Sequence, residues 1–142
     1  MKRSLLVAGL VVLGVSAAIA QSNPVEQRQG LMKQLGSQVR TASAMLKGQA
    51  PFDLGQAKAA LETFSTVAKQ APGLFPDSSK AEKSDALPTV WENKAAFDSN
   101  FSQFEKDAQT ALASIKDEAT FKTEFPKVLQ NCGTCHKTFR KG

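Results

Sequence analysis

Residues 121–140 read FKTEFPKVLQNCGTCHKTFR, and the spacing of apolar side chains in this stretch decides the fold. Phe121, Phe125, Val128, Cys132, Cys135 and Phe139 recur three and four residues apart, the interval at which side chains share one face of a helix. Asp117 stands just ahead of the run as a candidate N-cap. Pro126 lacks a backbone donor and crowds the preceding turn, so a kink or an interruption is expected there, with the helix continuing beyond it.

Within the stretch lies Cys132-Gly133-Thr134-Cys135-His136, which holds both cysteines and the single histidine of the 142 residues. C-x-x-C-H is the attachment signature of c-type haem. On a helix the two thiols face one way, so each can add to one vinyl group at a porphyrin edge. His136 can then turn its imidazole to the iron from the same side. Because both cysteines occupy seam positions, a haem held there would replace part of a hydrophobic core. A thiol–disulfide oxidoreductase uses C-x-x-C beside a βαβ pattern, and no strand alternation occurs here. A structural zinc site wants four ligands, one more than this motif provides. A disulfide-linked helical binding protein leaves His136 without a role.

The same rhythm recurs in three segments upstream. The first begins after Pro24, a good first-turn residue, and carries Met32, Leu35, Val39, Ala42 and Leu46 before Gly48 and Pro51. A second, capped by Asp53, has Leu54, Ala57, Leu61, Phe64, Ala68 and Ala71, and stops at Pro72-Gly73. The third opens after Pro88 and runs through Val90, Phe97, Phe101, Phe104, Ala108, Ala111 and Ile115. Short links join the first to the second and the third to the fourth, as in antiparallel hairpins. The long polar stretch from Pro72 to Pro88 reads as a surface crossover or a mobile loop. The pattern predicts an all-α, up-and-down four-helix bundle, an architecture that builds cofactor sites from facing helices.

At the N-terminus, Lys2 and Arg3 precede an apolar run from Leu5 to Ile19, and Ala18-Ile19-Ala20 fits a small-x-small cleavage pattern. Residues 1–20 therefore read as a cleaved secretory signal. This leaves 21–142 as one domain with one modest core and no membrane segment in the mature form. The run is short for a span of about 20 apolar residues, and no cysteine follows it to take a lipid. The whole chain carries +5, two units of which are Lys2 and Arg3. The small remaining excess suits a solvated surface, or docking to an acidic patch on a protein. Its lysines are scattered among acids without interleaved aromatics, which argues against nucleic-acid binding. Covalent haem attachment in bacteria takes place beyond the inner membrane, so signal and motif together predict a periplasmic protein.

These features resemble the cytochromes c′ and their low-spin relatives, the class II c-type cytochromes. The resemblance rests on Arg28-Gln29-Gly30-Leu31-Met32-Lys33, Lys47-Gly48-Gln49-Ala50-Pro51-Phe52, Leu74-Phe75-Pro76, Trp91 with Phe97, and Cys132 through Arg140. It spans essentially the whole mature chain; ordinary small cytochromes c carry the motif near the N-terminus instead. The resemblance implies an antiparallel four-helix bundle with one covalent haem c on the C-terminal helix. Cys132 and Cys135 are then its anchors and His136 the proximal iron ligand. It implies further that Arg28 lies near a haem propionate, a good partner for a guanidinium, and that Arg140 lies beside the proximal pocket. Trp91, Phe97, Phe101, Phe104, Phe121 and Phe125 read either as pocket walls or as ordinary core. Met45 lies about 20 Å along the helix from Met32 at 1.5 Å per residue and reads as core packing.

Met32 decides which function the resemblance implies. It falls one turn after Arg28, where family members cover the distal side of the haem. In low-spin members a methionine there is the sixth ligand and the protein carries electrons, a thioether raising the potential. In high-spin members an apolar side chain covers a five-coordinate iron that takes up small gases. The expectation is a periplasmic electron carrier, not an enzyme, with His136 and Met32 as axial ligands and redox proteins as partners. Binding of NO or CO under a Met32 lid is the alternative, and a homodimer through the first two helices stays open.

Overall fold

The computed structural model describes residues 23–142; the expected signal at 1–20 lies outside the described residues. Asn23 caps the first helix, its side chain accepting the Val25 N–H at 2.7 Å, and Pro24 fills the first turn of α1 (Pro24–Leu46). Gly48 then takes φ +68°, a left-handed conformation that glycine reaches without a Cβ penalty. The chain reverses into α2 (Leu54–Gln70), where Asp53 accepts the Gln56 N–H at 2.8 Å as expected of a cap.

The Pro72–Pro88 stretch is a pinned crossover rather than a loose loop. Two 3-10 turns, Ala71–Leu74 and Asp77–Ser79, lead to Ser79, which is fully buried. Farther on, the segment lies along the end of the last helix: the Leu87 N–H donates to the Phe139 carbonyl at 3.0 Å, and the Lys141 N–H to the Asp85 carbonyl at 2.8 Å.

The third expected helix is divided. α3 is the single turn Thr89–Glu92, and α4 is Lys94–Ser114. Between them Asn93 leaves the helical region at φ −128°, ψ 54°. Val90 is fully buried and the Trp91 indole is held by crossover carbonyls, so the first turn follows the crossover while α4 follows the bundle. Ile115, expected on the helix, is its extended C-cap and remains fully buried.

α5 (Glu118–Phe139) opens with a capping box, Asp117 accepting the Thr120 N–H at 2.8 Å while Thr120 Oγ1 accepts the Asp117 N–H at 3.1 Å. The interruption expected at Pro126 does not occur; the helix runs through it. Phe121 and Phe125 before the proline and Val128 after it are buried, and their packing holds the helical course across the missing hydrogen bond.

α1 packs on α2, α2 on α4 and α4 on α5, while α1 and α5 touch little. The core centres on the rings of Phe64, Phe104, Phe121 and Phe125, with neighbouring centroids 5.1–5.7 Å apart. Four long helices and one extra turn thus form the bundle, with no strand beyond one isolated bridge among the described residues. No helix among them is long and apolar enough to cross a membrane.

Candidate haem site

The weak α1–α5 contact leaves a cavity of about 650 Å³, within the roughly 300–1,000 Å³ usual for ligand and cofactor pockets. α5 contributes Leu129, Cys132, Cys135, His136 and Phe139, and α4 contributes Phe97, Phe101 and Phe104. α1 lines the cavity with Arg28, Met32, Leu35, Gly36 and Val39, and the crossover with Phe75 and residues 84–86.

Cys132 and Cys135 are half-buried and not joined in a disulfide. Burial pushes both thiols above their ordinary pKa, and the adjacent Cys132 adds to the rise at Cys135. His136 is shifted down, first by burial and then by the charge of Arg140 one turn along. The neutral imidazole, the form that binds metals, is thereby favoured. Arg140 itself is exposed at the cavity rim.

Met32 reaches this cavity and Met45 does not. Met45 is 3% exposed, and its sulfur accepts the Asp53 N–H at 3.3 Å, so it packs the first turn as the sequence suggested. Arg28 also lines the cavity, yet its guanidinium is largely engaged by the crossover. Nη1 donates to the Leu74 carbonyl at 3.0 Å and Ser79 Oγ at 2.9 Å, and Nη2 to Ser84 Oγ at 3.1 Å. These use three of the five guanidinium donors. Burial disfavours the Arg28 charge, and Glu82 partly offsets that.

Trp91, expected at the pocket, is not among the lining side chains. Its indole N–H donates to the carbonyls of Phe75 and Pro76, and Phe75 is the ring that faces the cavity. Phe97, Phe101 and Phe104 are walls, whereas Phe121 and Phe125 are interior core. Two lining asparagines, Asn100 and Asn131, escaped the sequence reading. Each precedes a seam residue, Phe101 or Cys132, and that flanking position was their one signal. Asn131 donates to Asp107 Oδ2 at 2.9 Å.

Two thiols one turn apart, an adjacent imidazole and a thioether share an otherwise mostly apolar cavity whose rim carries Lys33 and Arg140. This donor set fits haem c: sulfurs for two vinyl groups, nitrogen and sulfur for iron, cations for propionates.

The family model described as Cytochrome C′ matches residues 23–140. The chain belongs to the cytochrome c′ family. It is 42% identical over 135 residues to cytochrome c′ of Rhodopseudomonas palustris (strain ATCC BAA-98 / CGA009), covering 94% of this chain and 92% of the relative. Cytochrome c-556 of the same strain is 38% identical over 145 residues, covering 99% and 97%. The solved structure of Rhodopseudomonas palustris cytochrome c′ superposes with a TM-score of 0.82 at 39% identity, over 86% of this chain and 98% of that one. As a cytochrome c′ family member the protein carries haem c, covalently bound, and its two cysteines suit a single attachment. The four-helix bundle expected from the apolar rhythm is the architecture of these cytochromes c′.

Proposed function

We propose that the chain is a periplasmic electron carrier, not an enzyme, in which Cys132 and Cys135 anchor the haem as thioethers while His136 and Met32 bind its iron. Bound haem supplies a one-electron ferric/ferrous couple. The chain's own residues do the rest. Burial favours neutral His136, which keeps its lone pair available. A thioether from Met32 prefers ferrous iron and raises the potential. Phe97, Phe101, Phe104 and Val39 give the cavity apolar walls, and the guanidinium of Arg28, with that of Arg140, suits propionate charge. Exposed Lys33 and Arg140 at the rim suit an acidic redox partner.

The observation that carries this reading is that Met32, from α1, and His136, from α5, line one cavity. Absorption spectra of the oxidised and reduced holoprotein test it. Low-spin spectra that take up carbon monoxide only slowly, and that Met32→Ala converts to high-spin, are expected. A high-spin wild-type spectrum with ready carbon monoxide uptake would overturn it in favour of a five-coordinate binder of NO or CO with Met32 as a cover.

A further inference from the structure

α1 and α5 carry Met32 and His136, yet α1 lies mainly on α2 and α5 on α4. Near the cavity the crossover joins them. From the α1 side, Arg28 bonds Leu74, Ser79 and Ser84. From the end of α5, the Thr138 carbonyl accepts from Thr89 Oγ1 at 2.9 Å, and Phe139 and Lys141 pair with Leu87 and Asp85. The two sets converge on one residue. Ser84 Oγ accepts from Arg28 Nη2 at 3.1 Å, and the Ser84 carbonyl accepts from Lys141 Nζ at 3.1 Å.

Arg28 is firmly held. It is 4% exposed, with its guanidinium carbon 4.5 Å from the Phe75 ring centroid and 5.9 Å from that of Trp91. Ser79 is buried too, and its Oγ donates to the Pro76 carbonyl at 2.9 Å while accepting from Arg28. Met32 follows Arg28 by one helical turn on the same face. Any shift of Arg28 against the crossover therefore shifts Met32 against α5.

We propose that Ser84 is a positioning residue: with Arg28 and Lys141 it forms a clasp between α1 and the end of α5 that sets where Met32 stands relative to the haem on α5. The clasp deepens the axial reading of Met32 given above and rests on it only in taking Met32 to face the iron. A serine suits the place because its short side chain offers a hydroxyl to one helix while its carbonyl serves the other. Without the hydroxyl, α1 loses its direct tie to the residue that Lys141 holds, and Met32 samples positions farther from the iron.

Carbon monoxide association with the ferrous holoprotein tests this in a double-mutant cycle of wild type, Ser84→Ala, Met32→Ala and the double variant. Whether Met32 bonds the iron or only covers it, carbon monoxide waits for it to move. Ser84→Ala is expected to raise the association rate about tenfold while Met32 is present, the scale of one lost hydrogen bond to a charged group. It is expected to change nothing once Met32 has been truncated. Ser84→Thr, which keeps the hydroxyl, restores the wild-type rate. Amide hydrogen exchange over residues 28–36 should rise in Ser84→Ala and not in Ser84→Thr. An equal effect of Ser84→Ala with and without the Met32 side chain, or no effect in either, overturns the clasp. A high-spin wild-type spectrum overturns Met32 ligation alone, and the cycle still decides the clasp.

Discussion

Trp91 and Phe75 meet edge to face, with ring centroids 6.2 Å apart and planes at 61°, and the indole N–H divides between the Phe75 and Pro76 carbonyls at 3.1 and 3.2 Å. Trp91 thus steadies the ring that faces the cavity rather than facing it. Trp91→Phe keeps an aromatic body and removes the donor, so a loss of about 1 kcal/mol in unfolding free energy is expected. Urea melts measure that loss, and the haem absorption spectrum should stay at its wild-type shape. A changed spectrum at unchanged stability would put Trp91 in direct contact with the haem.

Phe125 is fully buried between Phe64 and Phe121, with centroids at 5.7 and 5.1 Å, and stands immediately before Pro126. Phe125→Ala should cost roughly 3–5 kcal/mol, a large share of a stability on the order of 5–15 kcal/mol. The packing that carries α5 across the proline goes with it, so far-UV circular dichroism should show lost helix as well. A cost below about 1 kcal/mol would mean that something other than this packing holds the helix together.

Asp117 links stability to pH with a definite sign. The backbone N–H of Thr120, then its hydroxyl, hold the Asp117 carboxyl below its ordinary pKa. In the unfolded chain the value returns to about 3.9. Between the two values the unfolded state binds more protons, so the stability due to this cap is complete above about pH 5 and is lost as pH falls through the native value. Thermal melts between pH 6 and pH 3 should show wild type and Asp117→Asn converging as pH drops. A constant separation would remove the linkage.

Gly30 sits inside α1, and a Cβ built there meets no atom within 4 Å. Gly30→Ala should therefore stabilise the protein by about 0.5–1 kcal/mol, read as a raised melting temperature with an unaltered spectrum. Gly36 offers a contrast. It lines the cavity, and a Cβ built there meets Arg40 Nη1 at 3.7 Å; if haem packs on this side of the helix, Gly36→Ala should stabilise the holoprotein less than Gly30→Ala does. Equal gains at both positions would count against haem contact at Gly36.

Local chemistry made much of this molecule legible in its sequence. Asp53 and Asp117 cap helices because a carboxylate before an apolar seam has nearby N–H groups to accept from. Met32, Cys132 and Cys135 line one cavity because a periodic rule puts seam residues on inward faces, and His136 follows directly from its place beside Cys135. Arg28 and Arg140, which line it too, follow from the family resemblance and not from the apolar rhythm. The rest depended on partners remote in the chain. Pro126 breaks a helix in isolation, and only the surrounding phenylalanine rings reverse that outcome. Asn93 ends a turn because Trp91 is held by carbonyls fifteen and sixteen residues earlier. Nothing in the polar run around Ser79 and Ser84 marks two serines out; their partner, Arg28, lies 51 and 56 residues upstream.

The pairing of Leu87 and Asp85 with Phe139 and Lys141 bears on the order in which the site is assembled. A chain delivered from its N-terminus presents α1, α2 and the crossover well before residues 132–141 arrive. Until then the crossover has no α5 end to lie along, and the side of the cavity near Ser84 stands open. The haem-attachment motif and the residues that pair with the crossover lie in the same short stretch, 132–141, so this side of the cavity can close only once the residues that would hold the haem are present.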